Sequence, residues 1–284
     1  MPTLSIGQFD IVYNSFSFAI AAMGAAFVFF ILSRHTVAAE YQRVLLVGAL
    51  IVGIAGYHYV RIFNSWSEAY VLSGGVYVAT GVPFNEAYRY VDWLLTVPLL
   101  LVELIAVLSL SPQRRSSITL RLVIASALMI VLGFPGEVTL AIGPRLFWGA
   151  MSTIPFLYIL YVLWRELGAM LTNESEQVRV LVRNLRLLLL ASWGVYPIAY
   201  LLPLLNIDPA LSLVGRQVGY SLADVVAKPA YGLLIYAIAR VKTQLDQVEQ
   251  FKAVPAEVAV RGAANRIGLP RLSVRGARCR RPAR

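Results

Sequence analysis

Hydrophobic positions fall in seven long stretches separated by short polar connections. The first, Ile11–Leu32, is 22 residues without a charge. In the second, Val44–Val60, His58 is the only titratable residue apart from tyrosines. The third runs from about Tyr90 to Leu110 and carries Asp92 and Glu103. The fourth centres on Leu122–Gly136 and extends both ways. The fifth, Leu146–Trp164, and the sixth, Leu187–Ile207, are free of charge. The seventh, about Gln217–Ala239, contains Asp224 and Lys228. A bilayer span takes about 20 mostly apolar residues. Backbone groups in lipid must pair within their own segment, so these stretches read as helices. One such stretch alone is compatible with a buried soluble helix; seven are not. The expected fold is therefore an all-α membrane protein, a seven-transmembrane-helix bundle. No basic region precedes Ile11, so that stretch reads as the first span rather than a signal peptide.

The connection between the second and third stretches, roughly Phe63–Phe84, contains Ser73-Gly74-Gly75-Val76-Tyr77-Val78-Ala79-Thr80-Gly81. Val and Tyr around a Gly pair predict a short β-hairpin there.

Composition sharpens this picture. Hydrophobic residues make up 58% and charged residues 14%, against about 45–50% and about 25% for soluble domains. A soluble enzyme and a disordered chain are both excluded. The net charge of +10 (25 − 15) is concentrated at one end. Residues 253–284 hold eight Arg and one Glu. They read as a disordered basic tail behind a membrane domain of residues 1–252. The tail lacks aromatic residues for base stacking, so no nucleic-acid partner is expected. It suits either an anionic lipid surface or a solvated topology signal. The connections after the first, third and fifth stretches hold most remaining Arg, including Arg34, Arg43, Arg114, Arg115, Arg121, Arg179 and Arg186. The positive-inside rule puts them and the C-terminus in the cytoplasm and the N-terminus outside the cell (plasma or inner) membrane. The single cysteine, Cys279, excludes an internal disulfide framework or a Cys-based zinc cluster, and no metal site is expected.

An ionisable group inside a span is costly and marks function by default. Asp224 and Lys228 are four residues apart and share a helix face. Alone, the pair is compatible with an internal salt bridge or with a lysine that forms a Schiff base to a carbonyl ligand, flanked by carboxylate counter-ions. The third stretch adds geometry. Asp92 and Glu103 are eleven residues apart, about 20° from three full turns, so they share a face about 16 Å apart along the axis. Two aligned carboxylates with a lysine between them on another helix look like stations on a proton path. The topology puts Asp92 and Asp224 outward of Lys228 and Glu103 inward of it.

These residues resemble a known family. Arg89-Tyr90-Val91-Asp92-Trp93-Leu94-Leu95-Thr96-Val97-Pro98-Leu99-Leu100-Leu101-Val102-Glu103 is similar to the third helix of microbial rhodopsins. Asp224-Val225-Val226-Ala227-Lys228 resembles their seventh helix, whose lysine binds retinal, and Trp193-Gly194-Val195-Tyr196-Pro197 resembles their sixth. Trp148 and Ser152-Thr153 resemble positions of their fifth helix. The Asp92, Thr96, Glu103 triplet is similar to that of proton-pumping proteorhodopsins and xanthorhodopsins. Gly56-Tyr57-His58-Tyr59 resembles the second-helix segment in which histidine pairs with the proton acceptor. Gly149 stands where xanthorhodopsin-like proteins have a glycine that opens a window for a carotenoid antenna; the other reading is close helix packing.

The resemblance implies all-trans retinal on Lys228 as a protonated Schiff base, with Asp92 and Asp224 as counter-ions. At about 4 Å and an effective dielectric near 20, each opposite charge contributes about 4 kcal/mol before screening and desolvation. Arg89 balances the two acids and His58 tunes Asp92. It further implies that Asp92 accepts the Schiff-base proton, Glu103 reprotonates the Schiff base, Thr96 hydrogen-bonds near Asp92, and net transport is outward. Trp93, Leu100, Met129, Gly133, Trp148, Ser152, Thr153, Trp193, Tyr196 and Pro197 complete the implied pocket, and apolar Leu100 suggests green absorption. Release groups of the kind known in one branch are not evident: Arg216 occupies one such place, leaving Glu68, Glu86, Glu137 and Asp208 as candidates. The implied activity is light-driven ion transport rather than enzyme catalysis, in membrane lipid and as a homo-oligomer (trimer or pentamer). The alternatives are a sensory photoreceptor of the same fold and a seven-helix transporter or receptor without retinal.

Overall fold

Each hydrophobic stretch becomes a helix; five of the seven helices overrun their stretch at both ends, whereas the third ends at Val107 and the sixth at Leu201. The structure, a computed structural model, describes residues 1–139 and 141–266. The first four spans are α1 (Ile6–Ser33), α2 (Ala39–Ala69), α3 (Ala87–Val107) and α4 (Pro112–Glu137). The fifth comprises α5 (Ile142–Tyr161), a π-helical turn (Val162–Glu166) and the short α6 (Leu167–Met170). The sixth is α7 (Glu176–Leu201). The seventh comprises α8 (Pro209–Val225), a second π-helical turn (Val226–Ala230) and α9 (Tyr231–Arg266). The overrun has local causes. Ser5 and Gln8 form a reciprocal capping box that starts α1 five residues before its apolar stretch. Pro112 opens α4, where its missing N–H costs nothing. The Asp208 side chain accepts from Leu211 N and caps α8.

The predicted hairpin is present. Strands β2 (Tyr70–Ser73) and β3 (Val76–Ala79) pair antiparallel. The two-residue turn between them is Gly74 and Gly75, both with positive φ (62° and 84°), a conformation that excludes most other residues. The pattern did not announce a third strand: β1 (Leu4–Ser5) pairs with the free side of β3.

One apolar cluster lies among α3, α4, the fifth span and α7, with Leu100, Leu104, Ile159 and Leu189 fully buried. A second, rich in aromatics, joins α1 to α2 through Phe16, Phe30, Tyr59 and Trp66. Phe18, Phe27, Leu120, Ile154 and Ile198 face outward, as lipid-facing side chains should. The chain separates into two units, Met1–Lys242 and Thr243–Arg284. Helix α9 extends to Arg266. The rest of the basic stretch read above as disordered, 267–284, lies outside the described residues.

Candidate functional site

Span seven carries its lysine on irregular helix. Lys228 lies in the π-helical turn, and Pro229 beside it has no N–H to give the helical ladder. Such π-turns recur at functional sites. The ammonium is buried and ends between two carboxylates: Nζ donates to Asp92 Oδ2 at 2.6 Å and to Asp224 Oδ1 at 2.9 Å. The four-residue spacing of Asp224 and Lys228 and the packing of α3 against span seven thus put three charges within contact distance.

The two aspartates are not equivalent. Asp224 is saturated: Oδ1 also accepts from Tyr196 Oη (2.6 Å) and Trp93 Nε1 (3.1 Å), and Oδ2 from Tyr59 Oη (2.8 Å). Arg89 stands 3.9 Å from Oδ2 and donates to Tyr59 Oη at 3.1 Å. Asp92 has one ion-pair contact through Oδ2, while its buried Oδ1 has no hydrogen-bond partner. Donors to a carboxylate favour its charged form, so Asp224 is built to remain an anion. Asp92 has room for a proton.

Asp92 and Glu103 do share the inner face of α3, each 1% exposed. Glu103 Oε2 has no hydrogen-bond partner. Tyr231 and Leu100 lie on the stretch between lysine and glutamate, where Tyr231 Oη donates to Leu100 O at 2.7 Å. Gly48 of α2 makes the space: a Cβ there would come within 2.6 Å of Glu103 Oε1.

An apolar cavity runs from Lys228 between α3, α4, the fifth span and α7. Trp93, Leu100, Met129, Gly133, Ser152, Thr153, Trp193, Tyr196 and Pro197 line it, as does Gly149. Its empty space, open mouth included, is about 840 Å³. An elongated apolar aldehyde fits this donor set: one buried amine, two tryptophans along the walls and few competing polar groups.

Two expected details differ, at Trp148 and His58. Trp148 is not among the lining residues; one turn position from Gly149 rotates it onto Gly136 of α4. Thr96 Oγ1 bonds near Asp92, donating to its main-chain carbonyl (2.8 Å), the usual i−4 bond of a helical threonine. His58 Nδ1 is engaged with Ile54 O of its own helix at 3.0 Å, and Asp92 Oδ1 has no hydrogen-bond partner. At Gly149 a Cβ would meet the Tyr200 ring at 3.0 Å, so Tyr200 packing is itself a reason for glycine there.

Sequence reasoning missed Tyr59, Tyr90, Phe156 and Tyr220. Tyr220 lies one helical turn before Asp224, a spacing that offered a signal. The others come from helices whose relative rotation the pattern does not specify.

With this geometry in hand, the comparisons are decisive. The profile described as "Bacteriorhodopsin-like protein" matches residues 12–242. The chain belongs to the bacteriorhodopsin-like family. Within these rhodopsins it is of the proteorhodopsin/xanthorhodopsin type. It is 31% identical over 246 residues to the green-light absorbing proteorhodopsin of Gamma-proteobacterium EBAC31A08, covering 84% of this chain and 92% of that one. The crystal structure of thermophilic rhodopsin is similar at 54% identity and a TM-score of 0.84, over 87% of this chain and 99% of that one. Xanthorhodopsin, described as a light-driven ion pump with dual chromophore, is similar at 52% identity and a TM-score of 0.83, with the same coverage.

Proposed function

We propose that this rhodopsin is a light-driven proton pump that carries all-trans retinal on Lys228 and moves protons out of the cell. The observation that carries this reading is the lysine ammonium held between one saturated and one under-coordinated carboxylate at the end of an apolar cavity. A buried Glu103 lies farther along the same helix face. The pump described among its relatives supports the same reading. When attached at Nζ, retinal supplies absorption of visible light and a light-driven change of shape.

The chain's own residues make the transport one-way. Asp224 stays ionised under its three hydrogen-bond donors and steadies positive charge at Nζ. Asp92 takes the Nζ proton, and its free Oδ1 makes the neutral acid tolerable. Arg89 holds the fixed charge on the outer side. Glu103 returns a proton to Nζ from the cytoplasmic side. Trp93 and Trp193 would hold the polyene, with Leu100, Met129, Gly133 and Pro197 around it. The outward direction rests on the arginine-rich connections being cytoplasmic.

Gly149 invites a carotenoid antenna by the glycine of its xanthorhodopsin-like relatives, with Tyr200 packing as its competitor. Gly149→Trp separates the two. Loss of carotenoid-sensitised pumping with retinal-driven pumping retained supports the antenna; loss of pigment stability supports packing.

Vesicles or cells with the retinal-loaded chain should acidify the external medium under light, and an uncoupler should abolish the change. A coloured protein that leaves the pH unchanged and cycles slowly would instead support a sensory photoreceptor.

A further inference from the structure

We propose that Glu86, at the outer end of α3, is the group that releases the proton to the external medium. The role rests on the pumping reading above and adds the exit that reading lacks.

Hydrogen bonds link the counter-ions to Glu86. Tyr59 Oη donates to Asp224, and Arg89 Nη1 donates to Tyr59 Oη. Arg89 Nη2 donates to Gln217 Oε1 at 3.0 Å, and Gln217 Nε2 donates to Glu86 Oε1 at 2.8 Å. Beyond Glu86 lies an open space bordered by Arg61, Ser65 and Glu68 of the last turns of α2. Glu86 therefore stands between the buried charges and solvent.

Coordination distinguishes it from the other acids. Glu137 is locked: Arg216 Nη1 donates to it at 2.7 Å, Tyr220 Oη at 3.1 Å and Tyr90 Oη at 3.3 Å, and Arg145 stands 3.6 Å away. Glu68 is exposed and Asp208 is spent as a helix cap. Glu86 receives Arg216 Nη2 (2.8 Å) and Gln217 on Oε1 alone, and its buried Oε2 has no partner. An anionic oxygen without a donor is costly to bury. The charged groups facing Glu86 are Arg216 from span seven, Glu137 from α4 and Arg89 from α3. Burial pushes its carboxyl up; Arg216 opposes this, Glu137 adds to it, and the balance lies above the ordinary glutamate value.

The step balances. In the dark Glu86 holds a proton. When the proton leaves Nζ for Asp92, the negative charge of Asp92 is neutralised and Arg89 loses part of what draws it toward the lysine end. The Glu86 O–H bond then breaks, its proton enters external water, and the carboxylate is held by Arg216 and Arg89. The proton later lost by Asp92 restores the Glu86 acid, so one proton leaves per cycle.

The test uses the full retinal-loaded chain, a light flash and a water-soluble pH dye outside, comparing wild type, E86Q and E86D. Wild type should show release before uptake. E86Q should lose that prompt phase and release only late in the cycle while still pumping, and E86D, still an acid, should regain it. Infrared titration of the retinal-free protein should show a protonated-carboxyl band that disappears on raising pH and is missing in E86Q. Release timing and infrared bands identical in wild type and E86Q would overturn the assignment. Failure of the wild type itself to acidify the medium would overturn the pumping reading and take this role with it.

Discussion

The two ends of α3 are built oppositely. Around Asp92, charges and hydrogen bonds are dense: Lys228, Asp224, Arg89, Tyr59, Tyr196 and Trp93 form one connected group that continues through Gln217 to Glu86. Around Glu103, Oε2 has no partner and the neighbouring Leu101, Leu104 and Ile105 are buried and apolar. A connected polar group exchanges charge readily; a dry carboxyl holds its proton until a path opens. The contrast teaches where a one-way pump keeps its gap. On the proposed pumping reading, the route from Asp92 to Glu86 is already wired, and the route from Glu103 to Lys228 must be opened in each cycle.

The largest effect should come from breaking the wired end. Asp92→Asn should abolish steady light-driven acidification while the pigment still forms, since Asp224 alone supplies the negative charge. Pumping at the wild-type rate by this variant would remove Asp92 from the route. Glu103→Gln should leave the first proton transfer intact and slow recovery by about 10²-fold or more, the usual worth of a positioned acid. Flash spectroscopy checks this, and added azide, a small diffusible acid, should restore the rate.

Gly48→Ala sharpens the dry end without substituting either acid. Its Cβ would crowd Glu103 Oε1, and the carboxyl, at the end of a flexible side chain, should swing aside. A barrier change of about 1 kcal/mol would slow recovery about fivefold, measurable as the same flash decay. Unchanged decay would mean the space beside Glu103 is idle.

The smallest effect concerns the Glu103 end of the bundle. Lys242 Nζ donates to Glu174 Oε1 (2.8 Å), Ser109 Oγ (2.7 Å) and Val107 O (3.1 Å), tying span seven to the connections after α3 and before α7. Partial burial pushes Glu174 up, but Lys242 and the Ser109 N–H outweigh it and hold the carboxyl below its ordinary value. A lowered carboxylate pKa contributes stability above the unfolded value, about 4.3, and loses it as pH falls through the folded one. Glu174→Gln should therefore lower Tm slightly at neutral pH, and the difference should close on acidification below about pH 4. A difference independent of pH would show that the tie is not ionic.

Much of this was legible in the sequence, for reasons of period. Seven apolar stretches, the four-residue step from Asp224 to Lys228 and the eleven-residue step from Asp92 to Glu103 all express helical geometry within one segment. The Gly74-Gly75 hairpin was legible because positive φ demands that residue type. What lay hidden depends on how helices rotate against one another. The partners of Glu86 come from span seven, and Tyr59 reaches Asp224 from α2. Trp148 faces α4 because the fifth span presents Gly149, Ser152 and Thr153 to the cavity instead. Strand β1 has two residues, too few to show a period.

The account rests on Lys228 Nζ being the attachment point for a chromophore between two unlike carboxylates. Titrating the purified full-length chain with all-trans retinal measures this directly. Wild type should develop a visible band whose colour shifts with protonation of Asp92, and Lys228→Ala should stay colourless. A colourless wild type, or the same band in Lys228→Ala, would contradict the account.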